Sequence, residues 1–182
     1  YGCAIYGIHA AIVTVEVLVE QGVNFFLVGL PDNAVRESHQ RIEAALRFNK
    51  HKIPGKKIVI NMSPADIKKE GAAYDLTLAS GILAASEQMG FEHIGDYIIM
   101  GELSLDGSLL PVKGALPMAI EARKRGFKGV ILPAANAREA GIVEGIDSLG
   151  VQNIMEVIHF FNGTGEIKPT HVNIKEEFYR NL

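Results

Sequence analysis

The run from Leu76 to Ala85 restricts the fold more than any other feature of the chain. Read as a helix over Leu76 to Met89, it carries Leu76, Leu78, Ala79, Ile82, Leu83 and Ala84, apolar almost all round. No face of such a helix suits water, so it lies inside, and the rest of the chain must wall it in. One wall is plain. Val13, Val15, Val17 and Val19 alternate with Thr14, Glu16, Leu18 and Glu20, the period-two pattern of a strand with one buried face. Gln21-Gly22 reads as a turn, Asn24 to Val28 as the hairpin partner of that strand, and Cys3 to Ile8 as a further strand.

Gly29-Leu30-Pro31-Asp32 opens one long helix, with Pro31 or Asp32 at its cap. Its stripe is Val35, Ile42, Ala45 and Leu46, and Arg36, Glu37, Gln40, Arg41 and Glu43 are placed to face water. Lys57 to Met62 returns as a strand, and Ser63-Pro64-Ala65-Asp66 resembles a short helical start. Gly90 closes the buried helix. Tyr97 to Leu105 is predicted as one strand, Asp106-Gly107 as a hairpin turn and Leu109 to Val112 as the return. Helices follow at Ala115 to Arg125, at Pro133 to Ala140 and, capped by Asn153, at Ile154 to Phe161; short strands lie at Gly129 to Leu132 and Leu149 to Val151. The sum is α+β, a mixed sheet with helices, whose alternation after residue 57 predicts right-handed crossover units. Residues 1–163 form the expected domain, and Thr164 to Leu182, polar and unpatterned, reads as a linker.

A chain of 182 residues, 48% apolar and 21% charged, can close a core around such a helix without a disulfide or metal. The net charge of −3 argues against a free-standing nucleic-acid module, though not against a local basic patch. The one cysteine, Cys3, has no intramolecular partner and fits a reducing, cytoplasmic setting as a small strand residue. No apolar run reaches the roughly 18 residues of a membrane span. Neither a signal peptide nor an initiator methionine is visible, so the start reads as trimmed.

Most chemistry-bearing motifs are missing. There is no G-x-x-x-x-G-K-[ST] loop for a nucleotide and no G-x-S-x-G elbow. His9, His39, His51, His93, His159 and His171 are scattered without ligand spacing, so no metal site is expected. Asp66, Glu70 and Asp75 read as capping or solvated carboxylates.

One stretch is specific. Met100-Gly101-Glu102-Leu103-Ser104-Leu105-Asp106-Gly107-Ser108-Leu109-Leu110-Pro111-Val112, followed by a helix and Gly129-Val130-Ile131-Leu132-Pro133, resembles the hairpin-helix-strand run of Lon-type protease domains. The resemblance implies their fold, a ribosomal-protein/GHMP-kinase-like superfold. Active Lon domains use a serine beside an acidic-Gly segment and a lysine on the helix after the hairpin, a dyad in which burial leaves a neutral amine to activate the hydroxyl. The matching positions here are Ala73, in Glu70-Gly71-Ala72-Ala73, and Leu116. Hydrocarbon there neither attacks a carbonyl nor moves a proton, so no catalytic residue is expected. Ser80 and Lys113 could be offered as a displaced dyad, but they read better as a helix-packing residue and a solvated turn residue.

A longer resemblance covers nearly the whole chain. Phe26-Leu27-Val28-Gly29-Leu30-Pro31-Asp32, Lys56-Lys57-Ile58-Val59-Ile60-Asn61-Met62-Ser63-Pro64-Ala65-Asp66 and Lys69-Glu70-Gly71-Ala72-Ala73-Tyr74-Asp75-Leu76 are similar to the Mg-chelatase-like ComM/YifB family, in which an inactive Lon-like domain precedes an AAA+ ATPase module. The resemblance implies a non-proteolytic accessory domain with no cofactor of its own, joined to a downstream module that binds ATP and Mg. It further implies a hexameric parent acting in DNA branch migration during natural transformation. The candidate partner or DNA surface is the polar stretch Lys68, Lys69, Glu70, Tyr74 and Asp75, together with the cationic run Lys50, Lys52, Lys56 and Lys57. Arg123, Lys124, Arg125 and Lys128 form another basic cluster at a helix end. The alternatives are an active Ser/Lys peptidase and a module that binds only protein.

Overall fold

The valine alternation becomes β2 (His9–Glu20), joined through Gly7-Ile8 to β1 (Gly2–Tyr6), in a computed structural model that describes residues 1–181. Next in sequence is β3 (Phe25–Val28), and β4 (Lys57–Ser63) follows much later. The sheet runs β1-β2-β4-β3, so β3 is not the hairpin partner of β2. β4 stands between them, antiparallel to β2 and parallel to β3, with Ile58 opposite both Val19 and Phe25. A local turn signal at Gln21-Gly22 could not reveal this. Ile58, Ile60 and Met62 of β4 are at most 1% exposed, as suits a strand with neighbours on both sides.

The predicted long helix is two: α1 (Asn33–Arg36) and α2 (Ser38–Phe48), broken at Glu37. Asp32 caps α1 by accepting the Val35 N–H at 2.8 Å. No helix starts at Ser63; the Pro64 carbonyl is drawn instead to a lysine described below. The apolar run is α3 (Asp75–Ala85), in which eight residues are buried, among them Leu76, Leu78, Ile82 and Leu83 at 0% exposure. It stops before Gly90 because Ser86 turns its hydroxyl back onto the Ile82 carbonyl at 2.7 Å and Glu87 takes a left-handed φ of 60°.

The predicted strand from Tyr97 to Leu105 is divided into β5 (Tyr97–Ile99) and β6 (Glu102–Leu103), the latter paired with β7 (Leu109–Leu110). The break serves α3. Gly101 donates its N–H to the Ala73 carbonyl at 2.7 Å and accepts from Leu76 at 3.0 Å, satisfying an otherwise unpaired donor at the helix start. After α4 (Ala115–Lys124) come β8 (Gly129–Pro133), α5 (Ala137–Ala140), β9 (Asp147–Val151) and α6 (Ile154–Asn162). β5, β8 and β9 form a second, parallel sheet, so the chain is α+β with mixed sheets and helices. Asn153 caps α6 by accepting from Glu156 at 3.1 Å, while Glu156 reaches back to the Gln152 N–H. Beyond residue 163 the chain stays in contact with this body: Thr170 donates to Ser148 and Val172 to Gly141, ahead of α7 (Ile174–Arg180).

One ion pair ties the layers together. Arg41, predicted to face water, holds Asp75 with two hydrogen bonds of 2.7 and 2.9 Å and also donates to the Ala34 carbonyl at 2.7 Å. Asp75 is 0% exposed and accepts a further N–H from Leu103 at 3.0 Å. α2, α3 and β6 therefore share one carboxylate. Burial raises the Asp75 carboxyl, opposed by Arg41 and the Leu103 N–H, whereas the hydrogen bond to Asp75 raises Arg41. The two directions weigh the pair differently; the bidentate geometry and a guanidinium that does not deprotonate decide for an ionised pair.

Arg41→Met strands this carboxylate, and removal of one partner from a buried pair costs about 3–5 kcal/mol. At about 2–4 °C per kcal/mol for a domain of this size, the thermal midpoint should fall by roughly 10 °C. An unchanged midpoint by circular dichroism would remove the pair from its organising role.

Candidate functional site

The loop from Asp66 to Tyr74 is pinned from below, and this shapes a cleft beside it. Lys69 exchanges backbone hydrogen bonds with the α1 entry, donating to Leu30 at 3.0 Å and accepting from Asp32 at 2.9 Å. Asp32 turns its second oxygen to the Gly71 N–H at 3.1 Å. The Lys69 ammonium points inward, donating to the Gly29 carbonyl at 2.7 Å and to the Pro64 carbonyl. Gly29 is required there. Its φ is +112°, and a Cβ would stand 2.1 Å from the Met62 carbonyl oxygen.

The predicted partner surface is corrected at three places. Lys69 and Asp75 are 0% exposed and Tyr74 is 2% exposed, so none of them offers a surface. Lys69 and Asp75 each have inward hydrogen-bond partners that fixed spacing does not reveal. Lys68 and Glu70 remain exposed and lie 3.4 Å apart as an ion pair. Burial lowers the Lys69 ammonium below its ordinary value, with Asp66 opposing, and pushes the Tyr74 phenol above its own.

Above this loop opens a cleft of about 350 Å³, bounded by Cys3 to Tyr6 of β1, by Lys68, Glu70, Ala73 and Tyr74, and by Met100, Lys113 and Met118. Ala73 therefore lines the cleft with a methyl group. Leu116, on the first turn of α4, is not among the lining residues; it packs on the core and gives its N–H to Glu139 at 3.3 Å. Ser80 is 0% exposed and its hydroxyl has no hydrogen-bond partner, while Lys113 is exposed at the cleft rim, so the two do not form a dyad. Cys3 is the one thiol present, and burial, aided by Glu121, pushes it up to about 12. The β1 contribution to this cleft was not anticipated from sequence, since the edge of a strand is visible only once its neighbours are placed.

The cationic run lies elsewhere. Lys50, Lys52 and Lys56 are exposed, and Lys52 and Lys56 border a shallow depression with Glu87 and Gln88. Gln88 fixes this turn by bonding both the N–H and the carbonyl of Lys52. Lys57 is engaged, 3.4 Å from Glu20 and over the Phe26 ring. Arg123, Lys124, Arg125 and Lys128 are exposed around the end of α4, with Arg125 held by Glu121 at 3.0 Å. Among the described residues no group of carboxylates, histidines or thiols is gathered for a metal, and no helix is long and apolar enough to cross a membrane.

Comparison with known proteins places this architecture. Residues 15–136 match the family described as subunit ChlI of Mg-chelatase. The chain belongs to the Mg-chelatase-like family of ComM and YifB. It is 37% identical to competence protein ComM of Haemophilus influenzae over 97% of its own length and 35% of that protein's. It is 39% identical to YifB of Escherichia coli over 92% of the chain and 34% of the relative. A more distant similarity, 29% over 63% of the chain, reaches Lon protease 2 of Bacillus subtilis. The chain thus spans about a third of the ComM-like relatives it matches.

Lys69 sets a pH dependence. Its folded-state proton affinity is lowered, so between that depressed value and the ordinary 10.5 the unfolded chain holds more protons and stability rises with pH. Lys69→Met should be less stable by about 1–3 kcal/mol near neutrality, having left two carbonyls unpaired. Urea titrations at neutral and alkaline pH should show wild type gaining on the variant as pH climbs; a constant difference would contradict a desolvated ammonium.

Proposed function

We propose that this ComM-like chain is a non-cleaving accessory domain with a Lon-type superfold, serving an AAA+ motor. The carrying observation is the composition of the cleft. Where peptide cutting would require a nucleophile it presents the Ala73 methyl, and no serine or threonine is among its lining residues. Burial pushes the Cys3 thiol up to about 12, away from the thiolate that a nucleophile needs. Lys113 at the rim has no serine or threonine beside it in the lining, and Lys69 is committed to two carbonyls. The reading brings with it the wider role of the family resemblance: ATP and Mg bound by an AAA+ module, a hexameric ring, and DNA branch migration in competence. In that setting the domain supports ring assembly or engages DNA or a protein for the motor.

Incubation with unfolded casein should yield no fragments, for the wild type and Ser80→Ala alike. Turnover that disappears with Ser80→Ala would make the chain a peptidase.

A DNA-engaging reading has its own observation: Lys50, Lys52 and Lys56 are exposed and carry no ion pair among the described residues. Fluorescence anisotropy with a labelled single strand should then show binding that weakens as salt rises and drops with Lys50→Glu plus Lys52→Glu. Flat signals at low salt would leave a module that binds protein alone.

A further inference from the structure

The four-stranded sheet has one face inside and one in water. On the inner side Ile58 and Ile60 are buried, and Val17 packs so closely on α3 that a Cβ on Gly81 would stand 2.7 Å from it. The outer side is apolar as well. Leu18, Val59 and Phe26 lie opposite one another on β2, β4 and β3, with Glu16, Asn61 and Val28 in the adjoining row. Leu18 is 51% exposed, Phe26 44% and Val28 51%. Beyond β3 stands Leu30, 53% exposed and held at a left-handed φ of 56°. The fold accounts for that backbone, since the Gly29 and Leu30 carbonyls are both drawn to Lys69. It does not account for the side chain. A bulky residue at positive φ is a steric outlier, where glycine or asparagine fits at little cost. The other non-glycine residues of this kind among the described residues, Lys50 and Glu87, are polar and sit just past helix ends. An unfavourable conformation kept for an exposed leucine points to a use for that leucine.

We infer that this outer face docks an amphipathic helix of a partner protein, its apolar stripe laid across Leu18, Val59 and Phe26 and reaching Leu30, with a lysine or arginine set against Glu16. A sheet with an apolar face is ordinarily closed by a helix or by a second sheet. Two strand spacings make the apolar row about 10 Å wide, which is the width of one helix. Phe26 to Leu30 spans at most about 14 Å, or about two and a half turns of that helix. Charge selects its kind. Glu20 is neutralised by Lys57 at 3.4 Å, whereas Glu16 has the Asn61 amide at 3.2 Å and no ion pair among the described residues. The face therefore lacks a cation. A second copy presenting the same face would bring another carboxylate and no free cation, and phosphates would be repelled. None of these residues lines the cleft at Ala73, so docking here goes beyond the non-cleaving reading and does not rest on it.

The probe is a fluorescein-labelled, acetylated helical peptide of about 18 residues, with leucines at every third or fourth position and lysines beside them. It is titrated with the whole chain and followed by anisotropy. Saturable binding is expected. Leu30→Asn, compatible with the left-handed backbone, should hold or raise the thermal midpoint yet weaken binding about tenfold. Leu18→Thr, which suits a strand, should weaken binding as well. The decisive arm is a charge swap. A twin peptide with glutamates for lysines should bind wild type about tenfold worse than the lysine peptide does, and should bind Glu16→Lys better than wild type. No saturation up to about 1 mM, equal binding by a scrambled peptide of the same composition, or binding indifferent to Leu30→Asn would overturn the proposal. So would the same preference for the lysine peptide in wild type and Glu16→Lys. Displacement of the peptide by a DNA strand would give the face to nucleic acid, and a sedimenting dimer that the peptide disperses would give it to a second copy; either result also defeats the proposal.

Discussion

Asp75 is fully buried at the first turn of α3, a helix buried over most of its length, and Arg41 reaches it from another helix. An isolated carboxylate in such a place would be intolerable; a guanidinium held by two parallel hydrogen bonds makes it an anchor. Because the same carboxylate also receives Leu103, and Arg41 also grips Ala34, the pair fixes where α1, α2, α3 and the β6–β7 hairpin meet. The cleft depends on that junction. Ala73 and Tyr74 immediately precede α3, and their height above the sheet is set by where Asp75 is held.

A second buried cation completes the frame. Lys69 spans from the end of β3 to the turn after β4, and its backbone pairs with the α1 entry. Both floor and wall of the cleft are thus organised by buried charges that never reach it. The polar residues around Glu70 divide accordingly, with Lys68 and Glu70 facing water, Lys69 and Asp75 turned inward to their hydrogen-bond partners, and Tyr74 buried. What the cleft presents to water is Lys68, Glu70 and Lys113 around the partly exposed Ala73 methyl.

The sequence made several elements legible because their causes are local. The valine alternation marked β2, the all-round apolar run marked α3, and Asn153 marked the start of α6. The motifs Phe26 to Asp32, Lys56 to Asp66 and Lys69 to Leu76 carried the resemblance to the Mg-chelatase-like family, to which the chain belongs. Strand neighbours were not legible. β3 follows a good hairpin turn, yet β4 displaces it from β2, because the sheet is ordered by total burial and not by proximity along the chain. The long helix and the long strand were each divided by a need arising elsewhere, at Glu37 and at Gly101.

Periodicity and motif spacing by themselves determined that this chain buries one apolar helix against a sheet and carries no G-x-x-x-x-G-K-[ST] loop. Those facts are properties of residues and their near neighbours. Only the tertiary structure decided that Arg41 belongs to Asp75, that Lys69 faces inward and that β4 stands between β2 and β3, since each joins groups far apart in the chain. The physical reason is common to all three: a polar group's partner is chosen by where burial leaves it without water, and burial is settled by the whole fold at once.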